Sequence, residues 1–154
     1  MAGRRLLPVI ISAGILPFRL PFQVLVAHPG GPYWAHKDAG SWSLIKGEVA
    51  DGEKFLEAAR REFTEETGWP APTGPFIELG AVNLRSRKQV HAWAVEAEFD
   101  PAALDPGTFS IIWRGRSRHF PEIDRVRWAD RDMAMSLLNP AQRPFVERLE
   151  ALLD

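Results

Sequence analysis

Three glutamates, Glu62, Glu65 and Glu66, cluster near the end of a strongly acidic segment of the sequence. This segment runs from residue 47 to residue 69 and holds six glutamates and one aspartate. On an α-helix the three carboxylates fall within about 100° of one another. Like charges repel at this spacing, and the C-terminal end of a helix disfavours anions. Helix stability therefore does not explain the arrangement.

Three clustered carboxylates are typical ligands of a hard divalent cation. Mg²⁺ prefers oxygen ligands, keeps several waters and is often shared with the phosphates of a substrate. The alternative interpretation is a solvated acidic face, on which Arg61 pairs with Glu57 and Glu65, four residues away on either side. One arginine does not neutralise every carboxylate of the segment. The helix alone leaves both interpretations open.

A predicted helix from about residue 54 to residue 67 positions these carboxylates. Leu56, Ala59 and Phe63 form an apolar stripe beside the acidic face, so the helix can pack on a sheet while its carboxylates converge elsewhere. Gly68 and Pro70 follow the last helical residue, and they predict where the helix ends.

Apolar and alternating runs predict the strands of that sheet. VIISAGILPF (9–18) and FQVLVAH (22–28) are separated by a proline-containing turn, which predicts that the two strands pair. FIELGAVNL (76–84) and QVHAWAVEAEF (89–99) predict two more strands, and RVRWA (125–129) predicts the last one.

The other segments predict a connection and two helices. Residues 101–110, PAALDPGTFS, have the composition of a turn-rich connection. Asp130 is a suitable N-cap for a short helix that runs through Leu138. A C-terminal helix follows, and its predicted apolar stripe consists of Phe145, Val146, Leu149 and Leu152.

The N-terminal residues allow two interpretations. Arg4 and Arg5, followed by LLPVIISAGIL, have the order of charges and apolar residues of a signal peptide. Pro8, the β-branched residues and the early return of charge at Arg19 favour a strand instead. No span approaches the ~20 apolar residues of a membrane helix, so we expect no membrane association.

Length and composition indicate one globular domain, residues 1–154, with 45% apolar and 25% charged residues. The formal net charge of -1 gives no general attraction to nucleic acid, so we expect no stable nucleic-acid binding and infer that any polyanion is held locally. The absence of cysteine excludes disulfides and thiolate metal sites, and a reducing cytoplasm is the simplest setting. We expect a monomer or homodimer.

The spacing of the acidic segment resembles a known motif. From Gly47, five residues lead to Glu53, and seven more lead to Arg61 and then to EFTEETGW. Every fixed position of the Nudix box of the MutT-like pyrophosphohydrolases, G-x5-E-x7-R-E-U-x-E-E-x-G-U with U apolar, is matched. SAGILPF, WSLIKGE and FPEIDRVRW also resemble bacterial predicted Nudix nucleoside-triphosphate pyrophosphohydrolases. Ile45, where relatives commonly have proline, and the bulky Trp69 depart from the usual pattern.

The resemblance implies an α/β fold, the Nudix α/β/α sandwich with a mixed β-sheet. It also implies hydrolysis of a nucleoside diphosphate linked to another group X, with Mg²⁺ or Mn²⁺ as cofactor. Arg61 and Glu53 would brace the loop and the helix. The implied metal ligands are the backbone carbonyl of Gly47 and the side chains of Glu62, Glu65 and Glu66.

The identity of the general base stays open at this point, because it varies within the family. Glu62 or Glu66 can accept the proton of the attacking water, or a glutamate outside the box can do so. Glu122 in HFPEIDR is the preferred outside candidate, and Glu98 is the next. A solvated carboxylate is the alternative for each of these two.

Aromatic and basic residues outside the box are candidate substrate contacts. Tyr33 and Trp34 share a loop and could stack on a base, and Trp42 and Trp113 are further candidates. Lys46 directly precedes the box and could reach a phosphate. Packing or solvated charge is the alternative throughout. Two basic clusters are predicted to lie on loops: Arg85, Arg87 and Lys88, and then Arg114, Arg116 and Arg118. Two tryptophans are predicted in the core: Trp93 and Trp128.

The leading functional hypothesis is a Mg²⁺-dependent hydrolase of nucleoside triphosphates or dinucleoside polyphosphates. A second hypothesis is a sugar nucleotide or another phosphorylated small molecule as substrate. A third is a nucleotide-binding regulator without turnover, which the complete set of box carboxylates disfavours. A purely structural acidic helix would require the whole spacing to be coincidental.

Overall fold

The computed structural model describes residues 8–154, so the interpretation of Arg4 and Arg5 lies outside the described residues. Within these residues, eight strands, three α-helices and two short 3-10 helices follow one another; the 3-10 helices are Pro101–Ala103 and Pro140–Gln142. The strands are β1 (Ile10–Arg19), β2 (Gln23–Pro29), β3 (Ile45–Glu48), β4 (Phe76–Leu84), β5 (Lys88–Glu96), β6 (Thr108–Trp113), β7 (Arg116–Pro121) and β8 (Ile123–Asp130). The helices are α1 (Phe55–Thr67), α2 (Arg131–Leu137) and α3 (Arg143–Leu153).

A mixed sheet forms the centre of the fold. Its strand order is β4-β5-β1-β2-β8, with β3 also paired to β1. The pair β1–β5 is parallel, and the other pairs of this sheet are antiparallel. The first half of β1 pairs with β3 and its last residues pair with β2, so the two partners diverge along one edge of β1.

The two faces of the sheet carry separate cores, because successive strand residues point to opposite sides. On one face Ala13 and Ile15 of β1 pack with Phe63 of α1. On the other face Leu16 and Phe18 belong to the same core as the buried residues of α2 and α3. Fully burying a side chain such as Phe63 contributes about 1.5–3 kcal/mol. This layering confirms the α/β/α sandwich.

The predicted ends of α1 are confirmed to within one residue. Gly68 ends the helix with φ 76°, a left-handed conformation that costs a glycine little, and its N–H donates to the carbonyl of Thr64. Asp130 caps α2 by accepting from the N–H of Met133, as predicted. None of the helices among residues 8–154 is long and apolar enough to cross a membrane.

Three predictions were wrong: the extent of the connection at residues 101–110, the loop position of the second basic cluster and the burial of Leu152. Residues 108–121 form a β-hairpin, with Arg116 and Arg118 on β7, instead of a connection followed by a basic loop. Arg114 and Gly115 both have positive φ, which makes the two-residue turn that matches the twist of paired strands. Leu152 is exposed, because α3 ends one residue later and its last turn extends beyond the sheet-facing core.

Candidate active site

A cavity of about 950 Å³ is lined by residues of β1, β2 and β3, beside the edge of β1 along which β2 and β3 diverge. Lys46 and Gly47 of β3 lie along it, and Ser12 and Ala27 line it from the neighbouring strands. Helix α1 presents its acidic face to the same space. The carboxylates that line the cavity are Glu48, Glu62, Glu65, Glu66 and Glu122. The structure therefore brings the box glutamates together with one residue from far along the chain.

The site requires a residue without a side chain at Gly47. A Cβ atom at this position would overlap the carboxylate of Glu62. Gly47 does not have a positive φ, so an absence of volume, and not an unusual backbone conformation, is what the site requires here. The backbone of β3 and the carboxylate of Glu62 are thus in direct contact.

Arg61 ties the loop before the helix to the acidic face. Its Nε and Nη2 donate to the two carboxylate oxygens of Glu53 at 2.8 and 2.9 Å. Its Nη1 donates to Glu62 at 2.8 Å and to Glu65 at 3.2 Å. Nη2 also donates to the backbone carbonyl of Glu48. The planar guanidinium offers five donors in a fixed fork, which suits this shared, bidentate arrangement.

The pKa values of this network follow from its hydrogen bonds. Donation from Arg61, together with the hydrogen bond from the N–H of Ala50, lowers the pKa of Glu53 to about 2. The hydrogen bond to Glu53 is also the largest cause that raises the pKa of Arg61. The two residues that were predicted to brace the loop and the helix are therefore in direct hydrogen-bonded contact.

Glu66 lies deeper than the other carboxylates, and its residue is only 8% exposed. Burial, together with the charges of Glu62 and Glu122, raises the pKa of Glu66 to about 8. The charge of Lys46 and a hydrogen bond from its backbone N–H act in the opposite direction. Burial lowers the pKa of Lys46, and the charge of Glu66 partly offsets this. Lys46 and Glu66 are thus neighbours within the cavity.

The donor set fits a hard divalent cation. Burial raises the pKa of Glu62, and its contact with Arg61 only partly compensates. The charge of Glu122 contributes to the raised pKa values of Glu62 and Glu66, so a positive charge among these carboxylates would relieve the repulsion. Among residues 8–154, no three acidic or histidine side chains already stand in a ligating arrangement. Arg61 instead occupies oxygens of Glu62 and Glu65.

Of the two candidate bases outside the box, Glu122 and Glu98, only Glu122 lines the cavity. Glu122 lies between β7 and β8, is exposed, and lines the cavity. The backbone N–H of Glu122 donates to Gly107, and its carbonyl accepts from Gly30, so both sides of the residue are held. Glu98 instead pairs with Arg19 at 3.0 Å and is not part of the cavity lining.

The aromatic residues that were predicted to contact a base also differ in their access to the cavity. Trp34 lines the cavity. Tyr33 lies edge-on to Trp34 with ring centroids 4.8 Å apart, but it is 67% exposed and does not line the cavity. Hydrogen bonding to Lys37 lowers the pKa of Tyr33. Trp42 lines the cavity but is only 2% exposed, so its ring faces are covered by packing and are not free to stack.

The basic residues that were predicted to contact phosphate differ in whether they line the cavity. Lys88 lines the main cavity, and its charge contributes to the lowered pKa of Lys46. Arg85 lines a neighbouring cavity of about 570 Å³ that shares Lys88 with the first, whereas Arg87 lines neither. The second cluster, around Arg116, is on the β6–β7 hairpin and lines neither cavity.

Two further contacts hold the cavity and were missed by the sequence analysis. The buried side chain of Gln142 accepts from the N–H of Leu44 and from Ser43, which fixes the chain just before β3. The buried ring of His28 donates to the carbonyl of Lys37 at 2.7 Å and contacts Asp124 at 2.9 Å. Each joins residues distant in sequence, and neither belongs to a motif.

Comparison with known proteins places this geometry in a family. A family model of the NUDIX domain matches residues 10–149. The chain is 30% identical to an RNA pyrophosphohydrolase of Azorhizobium caulinodans, an alignment that covers 93% of this chain and 90% of that protein.

Two solved structures share the fold. A binary complex of the Ap4A hydrolase of C. elegans has a TM-score of 0.64 at 15% identity and covers 92% of this chain and 97% of that one. The NUDIX domain of Shewanella oneidensis NrtR, complexed with ADP ribose, has a TM-score of 0.65 at 14% identity and covers 97% and 91%. Because the family model spans nearly the whole chain, and the box residues meet in one cavity, the chain belongs to the Nudix family of pyrophosphohydrolases.

Proposed function

We propose that the chain hydrolyses the phosphoanhydride linkage of a nucleoside diphosphate bound to X, with Mg²⁺ or Mn²⁺ as cofactor. The preferred substrates are a nucleoside triphosphate or a dinucleoside polyphosphate. The observation that carries this proposal is the convergence of Glu62, Glu66 and Glu122 with Lys46 on one open cavity. Carboxylates and a lysine together match the needs of a metal and a polyphosphate chain.

The residues divide into three roles under this proposal. The carbonyl of Gly47 and the side chains of Glu62, Glu65 and Glu66 would hold the metal. When bound, the metal would polarise the phosphate oxygens and neutralise developing charge. Arg61 orients Glu62 and Glu65 while it is itself fixed by Glu53.

Glu122 is the proposed general base. It lines the cavity, and it forms no side-chain hydrogen bond among the residues that the structure describes. Its carboxylate is therefore free to accept a proton from water, unlike the oxygens of Glu62 and Glu65 that contact Arg61. Glu62 and Glu66 remain the alternatives if Glu122 is dispensable.

Lys46 and Lys88 are proposed to contact the phosphates, because both line the cavity beside the carboxylates. Trp34 is proposed to stack on the base, a contact worth about 1–3 kcal/mol. Arg85 can reach a longer substrate from the neighbouring cavity, which shares Lys88 with the main one. An open cavity with a second, basic cavity beside it suits a substrate with several phosphates.

The 5′ end of an RNA is a second candidate for X. It is favoured by the alignment with the RNA pyrophosphohydrolase of Azorhizobium caulinodans over nine-tenths of both chains. In such a substrate the polyphosphate occupies the cavity and the rest of the strand lies outside it. Sugar nucleotides and binding without turnover are the remaining alternatives.

A substrate panel tests these assignments. Purified protein is incubated with Mg²⁺ and, in turn, nucleoside triphosphates, a dinucleoside tetraphosphate, a sugar nucleotide and a 5′-triphosphorylated oligoribonucleotide, and phosphate and pyrophosphate release are measured. Turnover of a nucleotide that stops with excess chelator and returns with Mg²⁺ or Mn²⁺ is the expected result. Binding without turnover of any compound would favour a regulator, and undiminished turnover in chelator would contradict the metal assignment.

A further inference from the structure

The β6–β7 hairpin, residues 108–121, carries a concentration of positive charge that the main cavity does not use. We call it the arginine ribbon. It contains Arg114, Arg116, Arg118 and His119 and has no acidic residue, although the whole chain has a net charge of -1. Most of its distal half is exposed, with Ile112 at 74% and Trp113 at 36%. The ribbon is a local basic surface on a chain that is otherwise not basic.

One face of the ribbon alternates aromatic or aliphatic residues with arginines. Directly opposed residues of an antiparallel pair project to the same face. The pairs Trp113↔Arg116 and Ile111↔Arg118 therefore share a face with the pair of Phe109 and Phe120 nearer the base. Arginine supplies charge to phosphates, and tryptophan supplies a ring on which bases stack, which is the combination that single-stranded nucleic acids require.

The base of the ribbon forms part of the rim of the main cavity. Thr108, its first residue, lines the cavity, and Glu122 follows its last residue and also lines it. The N–H of Gly107 donates to the carbonyl of Glu65 on α1, which ties the base of the ribbon to the acidic helix. The site and the ribbon are therefore parts of one continuous surface.

At its base, the face of the ribbon that carries the arginines meets the loop that carries Trp34. Phe109 lies on this face, and a Cβ added to Gly31 would come within 3.1 Å of its ring. Gly31 is the second residue of the loop whose Trp34 lines the cavity. Six residues per strand make the ribbon about 20 Å long. A strand that leaves the cavity beside Trp34 thus has a basic and aromatic surface to follow.

We propose that the arginine ribbon binds the single-stranded RNA chain of a substrate whose 5′-polyphosphate lies in the cavity. This inference rests on the proposed hydrolytic function and names the substrate class for which the ribbon matters. Arg116 and Arg118 contact phosphates of the strand, and Trp113 stacks on a base. A mononucleotide ends before it reaches these residues. The ribbon therefore discriminates between long and short substrates, while the carboxylates act on both.

Charge argues against a second copy of the chain as the occupant. In a two-fold symmetric contact each arginine face would meet an identical arginine face, and like charges across an interface are unfavourable. A phosphodiester chain instead complements the arginines along the length of the ribbon. Its attachment to a polyphosphate end also explains why the ribbon starts at the rim of the cavity.

Steady-state kinetics with two substrates test the proposal. The double variant Arg116→Gln/Arg118→Gln and the single variant Trp113→Ala are compared with the wild type on ATP and on a 5′-triphosphorylated decaribonucleotide. We expect KM for the decamer to rise at least fivefold in each ribbon variant, with kcat/KM for ATP unchanged. The matched control Arg127→Gln/Arg131→Gln removes the same charge from exposed arginines outside the ribbon and should leave both substrates unaffected.

Binding measured without turnover separates this proposal from the proposed function. Fluorescence anisotropy of a 5′-hydroxyl decaribonucleotide, in chelator, measures binding of the RNA chain without its 5′-polyphosphate, and the ribbon variants isolate the contribution of the ribbon. Log affinity should fall linearly with log salt, and the slope should decrease by about 0.7 for each phosphate-contacting arginine removed. Binding that is lost in the ribbon variants, without hydrolysis of any nucleotide by the wild type, would sustain the ribbon proposal and refute the proposed function.

Three outcomes would overturn the proposal. The first is equal decamer kinetics and binding in the ribbon and control variants. The second is an equal loss for ATP and decamer, which would make the ribbon part of the general site. The third is a change in sedimentation behaviour, or in binding to anionic vesicles, with decamer binding intact; this would assign the ribbon to self-association or to a lipid surface. Circular dichroism on the same samples confirms that each variant is folded.

Discussion

The carboxylate of Glu62 occupies the position that a side chain at Gly47 would need. We therefore expect Gly47→Ala to displace Glu62 and to reduce turnover by about 10²-fold, the size associated with misplacement of a catalytic group by about 1 Å. Gly52→Ala, in the loop between β3 and α1, is the control. Its Cβ would meet open space, although its φ of 76° is strained for alanine, so it should lower the Tm and spare activity.

A double-mutant cycle on stability checks this explanation. Gly47→Ala should lower the free energy of unfolding in the wild type but have little effect in a Glu62→Ala background, where the overlapping carboxylate is gone. The same cost in both backgrounds would show that the glycine is needed for another reason.

Arg61 joins Glu53 to two carboxylates of the acidic face, so its loss should disorganise the site without unfolding the chain. We expect Arg61→Ala to lower kcat/KM strongly, and Arg61→Lys to recover little, because an ammonium lacks the planar fork that reaches several carboxylates. Turnover and circular dichroism are measured on the same sample. Near-wild-type rates in Arg61→Lys would indicate that charge alone suffices.

The pH dependence of stability should report the pair formed by Arg61 and Glu53. The pKa of Glu53 is about 2 in the folded protein, below its ordinary value of 4.5. A carboxyl with a depressed folded pKa stabilises the fold above the unfolded value, and this contribution is lost as the pH falls toward the folded value. Glu53→Gln should therefore destabilise the protein at pH 6, and the difference from wild type should shrink between pH 4.5 and 2. Urea unfolding at several pH values measures it, and a constant difference would contradict the assignment.

The proposed general base predicts a selective kinetic effect. Glu122→Gln keeps the size of the side chain but cannot accept the proton, so turnover should fall by about 10²–10⁴-fold. The Mg²⁺ concentration for half-maximal rate should change little. Glu66→Gln, which removes a proposed metal ligand, should raise that concentration as well as lower turnover. Normal turnover in Glu122→Gln across pH would return the role to Glu62 or Glu66.

Trp34 and Tyr33 should differ although they are adjacent in sequence. Trp34→Ala should weaken nucleotide binding by about 1–3 kcal/mol if the ring stacks on a base. Tyr33→Ala should have a smaller effect, because Tyr33 contacts Trp34 and Lys37 and does not line the cavity. Titration calorimetry with a nucleotide and with inorganic triphosphate provides the comparison. Loss of affinity for both ligands in Trp34→Ala would indicate a packing role.

Much of the fold and the centre of the site could be predicted from the sequence, because both depend on local periodicity. Helix α1, its end at Gly68, and the shared direction of Glu62, Glu65 and Glu66 follow from 3.6 residues per turn. The spacing also places Glu65 one helical turn after Arg61, so that both residues lie on the same side of the helix. Contacts between residues a few positions apart on one helix depend on the local sequence. These features could therefore be predicted without knowing which distant segments pack together.

Tertiary structure alone decided which distant residues join that centre. From the sequence, Glu98 and Glu122 are both candidate bases outside the box. Strand pairing places Glu122 at the cavity and Glu98 beside Arg19. Residues 108–121 have turn-like composition at their start and an arginine-rich end, and they pair as strands only because the register closes at Arg114 and Gly115. Such choices depend on contacts between residues far apart in the chain, whose free energy is set by the assembled sheet and not by any local pattern.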